Sequence, residues 1–361
     1  MNLLNTNLPR VIGEAFFALG SLLFAFAAGA LILYAVRIDP AKAYSVFFSS
    51  SLASSAGIVA IFVAATPLII NGLGISIAFK AGIWNIGAEG QMLAGAVLAA
   101  VGGIYISLPF PLHVLLLMIL GLIGGAAWAA IPAILKAFLG ANEIVVTLMF
   151  NYIMILLTQY LLSGVLNSGG IAYAGQRTVP IQVTAQYPPL IPGTALHFGV
   201  LVAILLVPAV YFLMYRTVFG FRLRVVGSSE KTAKYAGIRI PVLIIMAMLL
   251  SGAFAGLAGM GEVSGVHYAL LVGITSGLGY TAVLVAVLGR LHPVGVFLAA
   301  ILFGCLIVGG QGMQNFANVP SSLVVFLQGL IVLIVLATEI IRVYGAKRIV
   351  ASRGKVFIAR A

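Results

Sequence analysis

Few side chains in this chain can do chemistry: seven Asp or Glu, four His and one Cys among 361 residues. The segment Lys80-Ala-Gly-Ile-Trp-Asn-Ile-Gly-Ala-Glu-Gly-Gln91 gathers Asn85, Glu89 and Gln91 around Gly82, Gly87 and Gly90. Three glycines make a weak helix, so the segment reads as a turn or a discontinuous helix between apolar stretches. Two readings stand side by side. One is a substrate- or gate-facing element using Asn85, Glu89 and Gln91. The other is a capped turn in which Glu89 offsets Lys80 or a helix N-terminus.

A second set lies further on. At 100° per residue, Glu143, Thr147, Asn151 and Thr158 fall within an arc of about 80°. Such a stripe faces protein or a water-filled cavity rather than lipid, either lining a path or bonding helices together. Glu143, at one end, also reads as interfacial. Gly252 and Gly256 show the small-xxx-small spacing of closely packed helices, and Glu262 follows them at an expected outer interface. His113, His197, His267 and His292 are scattered, and Cys305 sits in an apolar run. No metal set, catalytic constellation or glycine-rich phosphate loop stands out, so no cofactor is expected and the chain reads as no enzyme. No paired acidic network runs mid-membrane, which speaks against an ion-coupled secondary transporter.

Apolar elements must position these groups. The chain is 63% hydrophobic and 7% charged, against about 25% charged in a soluble domain. A bilayer is the solvent that fits, and long unbroken apolar runs select helices over a barrel. The 22 uncharged residues between Glu14 and Arg37 exceed a signal-peptide core of about 7–15. Charges and prolines divide the rest. The fold expected is an all-α integral membrane protein, one domain over 1–361, with ten spans. These are 12–36, 56–79, 88–107, 112–136, 143–165, 198–215, 242–262, 276–291, 294–311 and 322–341, with a short helix allowed within 263–275. Five spans on each side of the 167–197 loop would suit an inverted repeat.

Net charge is +12, and twelve of the nineteen Lys and Arg lie in loop 216–241 and tail 342–361. These read as cytoplasmic topology signals rather than a nucleic-acid surface, putting both termini in the cytoplasm. The same loop carries helix signals: Ser228 or Ser229 as cap, Glu230 in a first turn, Gly237 at the end. It is either an interfacial helix on anionic lipid or a lever seated in a cytoplasmic partner.

Gly220, Arg222, Arg224, Gly227, Ser229, Ala233 and Ala236-Gly237-Ile238 resemble the cytoplasmic signature of the branched-chain amino acid, simple-sugar and nucleoside permeases of ABC importers. Three further stretches are similar to the nucleoside-type branch: Phe79 to Gln91, Ala141-Asn-Glu-Ile-Val-Val-Thr-Leu-Met-Phe-Asn-Tyr152, and Gly279 to Gly295. Gly309-Gly-Gln-Gly-Met-Gln314 fits as well, and the likeness runs over roughly residues 55–340. Trp84 stands where the family often has Leu or Phe, and Leu291 where it often has Asn. The resemblance implies a permease subunit in a prokaryotic cell membrane, working by alternating access. Its implied partners are a cytoplasmic ABC ATPase, a second and different permease chain, and an extracytoplasmic substrate-binding lipoprotein that delivers nucleoside. It implies coupling to the ATPase through Arg222, Arg224, Gly227, Ser229, Glu230, Ala233 and Gly237. Asn85, Glu89, Gln91, Thr147 and Asn151 are the candidate path residues, and a simple sugar such as ribose or galactose is the alternative cargo.

Overall fold

The computed structural model describes residues 8–166 and 176–338, with side chains from residue 20 onward. The basic tail 342–361 and the last residues of the 322–341 span lie outside the described residues. The helices are α1 (Leu8–Ala35), α2 (Pro40–Ser51), α3 (Ser55–Lys80), α4 (Ala88–Tyr105), α5 (Leu112–Leu139), α6 (Glu143–Ser163) and α7 (Phe198–Arg216). They continue as α8 (Val218–Ser228), α9 (Glu230–Tyr235), α10 (Ile240–Glu262), α11 (Leu278–Leu288), α12 (Pro293–Ala317) and α13 (Ser321–Thr338). Among the described residues extended pairing is limited to two isolated bridges, Arg177 with Leu271 and Pro189 with His197, so the fold is all-α. Among the described residues seven helices are long and apolar enough to cross a membrane: α3, α5, α6, α7, α10 with its extension to His267, α12 and α13.

The chain divides into two compact units, Ile58–Cys305 and Met1–Gly57 with Leu306–Ala361. The centre of the first is α4, where 14 of 18 residues are buried, leaving no face for lipid. Its small residues let α5, α6, α10 and α11 pack around it. α5 and α10 meet backbone to backbone. A methyl group on Gly252 would lie 2.5 Å from the Gly125 carbonyl oxygen, and one on Gly256 would lie 2.1 Å from that of Gly121. Nothing larger than hydrogen fits at either position.

In the second unit, Asp39 caps α2 by accepting from the Ala41 N–H at 2.9 Å. Phe26 of α1 packs edge-on against Tyr44 and Phe47, and the Tyr44 hydroxyl donates to the Phe26 carbonyl at 2.7 Å. Gln328 of α13 donates to the Leu306 carbonyl at 2.9 Å, which satisfies its amide inside an apolar pair.

Several elements differ from the sequence expectation. α2 was expected as a connecting loop because Arg37 and Lys42 interrupt the apolar pattern; the Asp39-Pro40 start suffices to begin a helix. α12 runs through Gln311–Phe316 to Ala317, because the first true stop is Asn318 (φ 51°) before Pro320. α11 has 11 residues, about 16 Å of helix, so alone it crosses roughly half of a 30 Å hydrocarbon core. In place of a short helix within 263–275, α10 continues as one π-helical turn, Val263–His267, and then extends.

The stretch 176–197 is strapped onto that extension. The Thr178, Ile181 and Tyr187 N–H groups donate to the carbonyls of Leu270, Tyr268 and Ser264 at 2.9, 2.8 and 2.9 Å. His197 ends the strap and caps α7, its Nδ1 accepting from the Gly199 N–H at 3.2 Å, with its ring stacked on Tyr187. Glu262 is buried rather than exposed at an interface, and stands 3.5 Å from His267 Nε2.

Candidate functional site

Between α3 and α4 the chain turns through Gly82 (φ 78°), whose N–H donates to the Phe79 carbonyl while that of Ile83 reaches Ala78. This stops α3 with a left-handed residue that only glycine adopts without cost. Trp84 packs against Phe79 with ring centroids 4.7 Å apart and the planes tilted by 48°, and is half exposed. The next side chain, Asn85, is fully buried and forms a reciprocal amide pair with Gln91, at 2.9 and 3.0 Å. Its Nδ2 also donates to the Ser251 hydroxyl at 3.0 Å, and its Oδ1 accepts from the Gly87 N–H at 3.0 Å. The pair ties the turn to α4 and α10.

Glu89 lies in the first turn of α4 and is 3% exposed. Its Oε1 accepts from the Thr275 hydroxyl and, at 3.1 Å, from the Gly277 N–H; its Oε2 accepts from the Gly279 N–H at 2.7 Å. The carboxylate therefore sits on the N-terminus of α11, where unpaired N–H groups and the helix dipole stabilise a negative charge. Gly279 admits it, since a methyl group there would lie 2.4 Å from the Glu89 backbone nitrogen.

Asn151 of α6 closes the same cluster. Its Oδ1 accepts from the Gly90 N–H at 2.8 Å, and its Nδ2 donates to the Ile86 carbonyl at 2.9 Å and the Tyr280 hydroxyl at 3.2 Å. Thr147, fully buried one turn earlier, bonds back to the Glu143 carbonyl at 2.6 Å. Glu143 pairs with Lys136 at 2.7 Å across the Asn142-capped start of α6. All five candidate path residues are thus buried in one neighbourhood where α4, α6, α10 and α11 meet. Only Glu89 borders an open-sided cavity of about 300 Å³ between α6 and the 272–280 segment. That cavity is also lined by Thr158, Gln159, Thr275, Ser276 and Tyr280. The sequence reading missed Gln159, Ser276 and Tyr280. Gln159 stands 100° round the helix from Thr158, off the polar arc, and its polarity in an apolar span was the available signal.

The basic loop forms two helices, not one. Thr217 caps α8 by accepting from the Gly220 N–H at 3.1 Å. Ser229 caps α9 by accepting from Thr232 N–H at 3.3 Å, Glu230 follows in the first turn, and Gly237 (φ 70°) ends it. Arg224 folds back to donate to the Met214 carbonyl and lies over the Tyr215 ring at 5.3 Å. Arg222 and Glu230 are exposed and Ala233 is buried. Gly227 meets the Lys80–Gly82 turn so closely that a methyl group would stand 2.1 Å from the Lys80 carbonyl oxygen. A hollow of about 590 Å³ opens between α8, the 236–239 turn and α10, with Arg222 and Arg239 on its rim.

A chain of apolar spans around a buried polar cluster, with a capped helical pair on a basic loop, is the build of a membrane transport subunit. Residues 57–336 match the family described as branched-chain amino acid transport system / permease component, and the chain belongs to that family. It is 35% identical over 350 residues to the glucose ABC transporter permease protein TsgB13 of Haloferax volcanii, covering 93% of this chain and 92% of that one. It is 35% identical over 329 residues to the guanosine ABC transporter permease protein NupP of Bacillus subtilis, covering 89% and 93%. It is 30% identical over 337 residues to the nucleoside ABC transporter permease protein NupB of Lactococcus lactis subsp. cremoris, covering 90% and 91%. The chain is a multi-pass membrane permease subunit of an ABC transporter, and such subunits carry cargo without being enzymes themselves.

Proposed function

We infer that this chain is the permease of a nucleoside importer in a prokaryotic cell membrane. It shares the translocation path with a second, non-identical permease chain, and an extracytoplasmic lipoprotein delivers the cargo. A cytoplasmic ATPase seats on α8 and α9, and the positive charge of loop 216–241 and tail 342–361 supports both termini on that side. The observation that carries the reading is the α8–α9 pair. It is capped at Thr217 and Ser229, and it is joined to α7 through one residue and to α10 through the short 236–239 turn, so a push on it becomes a tilt of two spans. Arg222 and Glu230 would meet the ATPase, Ser229 and Gly237 fix the ends of the lever, and Arg224, Gly227 and Ala233 seat it. The path runs by the Glu89 cavity, with Asn85, Gln91, Thr147 and Asn151 holding its wall.

Cargo identity rests on the relatives that transport guanosine and nucleosides. A sugar is the second reading, favoured by the equally similar glucose permease. Uptake of radiolabelled guanosine and glucose would be compared in cells with and without this gene, and with the ATPase nucleotide site disabled. Loss of guanosine uptake in both backgrounds is expected. Loss of glucose uptake instead transfers the cargo assignment, and uptake indifferent to the ATPase removes the importer reading altogether.

A further inference from the structure

The five path residues named from the sequence spend their polar atoms on the protein. Asn85 and Gln91 hold each other, Asn151 holds Gly90, Ile86 and Tyr280, Thr147 holds its own helix, and both Glu89 oxygens are engaged at α11. None is turned toward a passing molecule. Of the five, Glu89 alone borders the cavity, with both oxygens already engaged, and the cavity's other polar groups are ones not named from the sequence as path residues.

Gln159 is exposed in span α6 and lines the 300 Å³ cavity, and its amide makes no hydrogen bond among the described residues. It lies 16 residues into the helix, about 24 Å along it. An amide presented to hydrocarbon there would be costly, whereas one presented to cargo would not. Across the cavity are exposed Ser276 and half-buried Tyr280, and Leu93, Ile155 and Val272 give it an apolar wall. Glu89 is the one ionisable acid or base on the lining apart from the Tyr280 phenol, and three donors at the α11 N-terminus already offset its charge. An anionic cargo would find no Lys, Arg or His on the lining to pair with, and a cationic one would compete with those donors for the carboxylate and break the clamp.

The cavity thus suits a neutral, flat solute with one apolar face and one hydrogen-bonding edge. A side-chain amide offers a donor and an acceptor side by side, the pairing that a nucleobase edge returns and a ring of hydroxyls does not fix. We propose that Gln159 is the specificity-determining contact of this permease, reading the edge of a nucleobase whose face lies on Leu93, Ile155 and Val272. Ser276, whose hydroxyl donates to the Gly273 carbonyl at 2.7 Å, accepts from the remaining polar groups, and Tyr280, whose hydroxyl accepts from Asn151, donates to them. This rests on the nucleoside-importer reading and extends it to particular atoms.

The test is uptake in intact cells carrying the whole transporter, with membrane abundance of the permease followed in parallel. Because the delivering lipoprotein sets half-saturation, the readout is the maximal rate. Gln159→Met keeps length and apolar bulk while removing donor and acceptor. It is expected to lower maximal guanosine uptake at least tenfold at unchanged abundance, and Gln159→Asn to restore part of it. Ser276→Ala is the second variant and should lower the rate by a smaller factor. Unchanged maximal uptake in Gln159→Met overturns the proposal while leaving the importer reading intact. If the wild-type transporter carries glucose and not guanosine, the nucleobase contact falls together with the cargo assignment. The same variant scored on glucose then separates a cargo contact from no contact.

Discussion

His197 shows what a buried titratable group does to the strap that ends in it. Burial pushes its imidazole down from an ordinary 6.5 to about 4, since the charged form loses its water. Between those values the unfolded chain binds a proton that the folded chain refuses, so stability is lost as pH falls through that window. The full loss is about 3 kcal/mol. The melting midpoint of the solubilised protein should therefore drop between pH 6.5 and 4.5, and His197→Asn, which still caps α7, should flatten that dependence. Glu89 marks how far single residues were legible. An isolated carboxylate in a glycine-broken apolar stretch is visible in the sequence because burying it is expensive. Its partners are not, because Thr275, Gly277 and Gly279 lie 186 to 190 residues away and signal nothing by type.

Beyond its junction with α7, the α8–α9 pair meets backbone directly through Gly227 on the Lys80–Gly82 turn. That turn leads within a few residues to the Asn85–Gln91 amide pair. Gly227→Ala forces a methyl group onto the Lys80 carbonyl, so helix or turn must shift. ATP hydrolysis by the assembled transporter should continue while uptake falls severalfold, with the permease still inserted. Hydrolysis and uptake falling together, or neither falling, would return the loop to a passive role at the lipid surface. The capped end of this pair was legible from Ser229, Glu230 and Gly237, because caps act over three or four residues. α8 was not, because the sequence reading placed a single helix from Ser228 or Ser229 to Gly237, and the backbones that Gly220 and Gly227 admit come from elsewhere in the chain. α2 was missed for a similar reason: its charges hide a helix whose start is set locally by Asp39 and Pro40.

In the Ile58–Cys305 unit, rigidity is concentrated where α4, α5 and α10 touch through glycine and alanine. Close-packed backbones leave no compressible side chain between them. Gly256→Leu should therefore abolish folded protein, seen as loss of a monodisperse peak after solubilisation, whereas Gly329→Leu in α13, where nothing stands within 4 Å, should leave the peak in place. The class of the molecule was legible from composition alone, since 7% charged residues admit no other solvent. The spacing of Gly252 and Gly256 announced a close helix neighbour without naming α5, because a motif of two glycines carries no address.

The clamp of Glu89 on α11 also sets an order of events in the making of the protein. At about 5–20 residues per second of synthesis, the Gly279 N–H leaves the ribosome roughly 10–40 s after a carboxylate 190 residues upstream. Throughout that interval α4 has its carboxylate and none of the donors that hold it. With 14 of its 18 residues buried against protein, α4 also has no lipid-facing surface of its own. Its final seating is therefore a late step of biogenesis, completed when the nascent chain delivers α11, and a ribosome stalled between the two should leave α4 open to water-soluble labels.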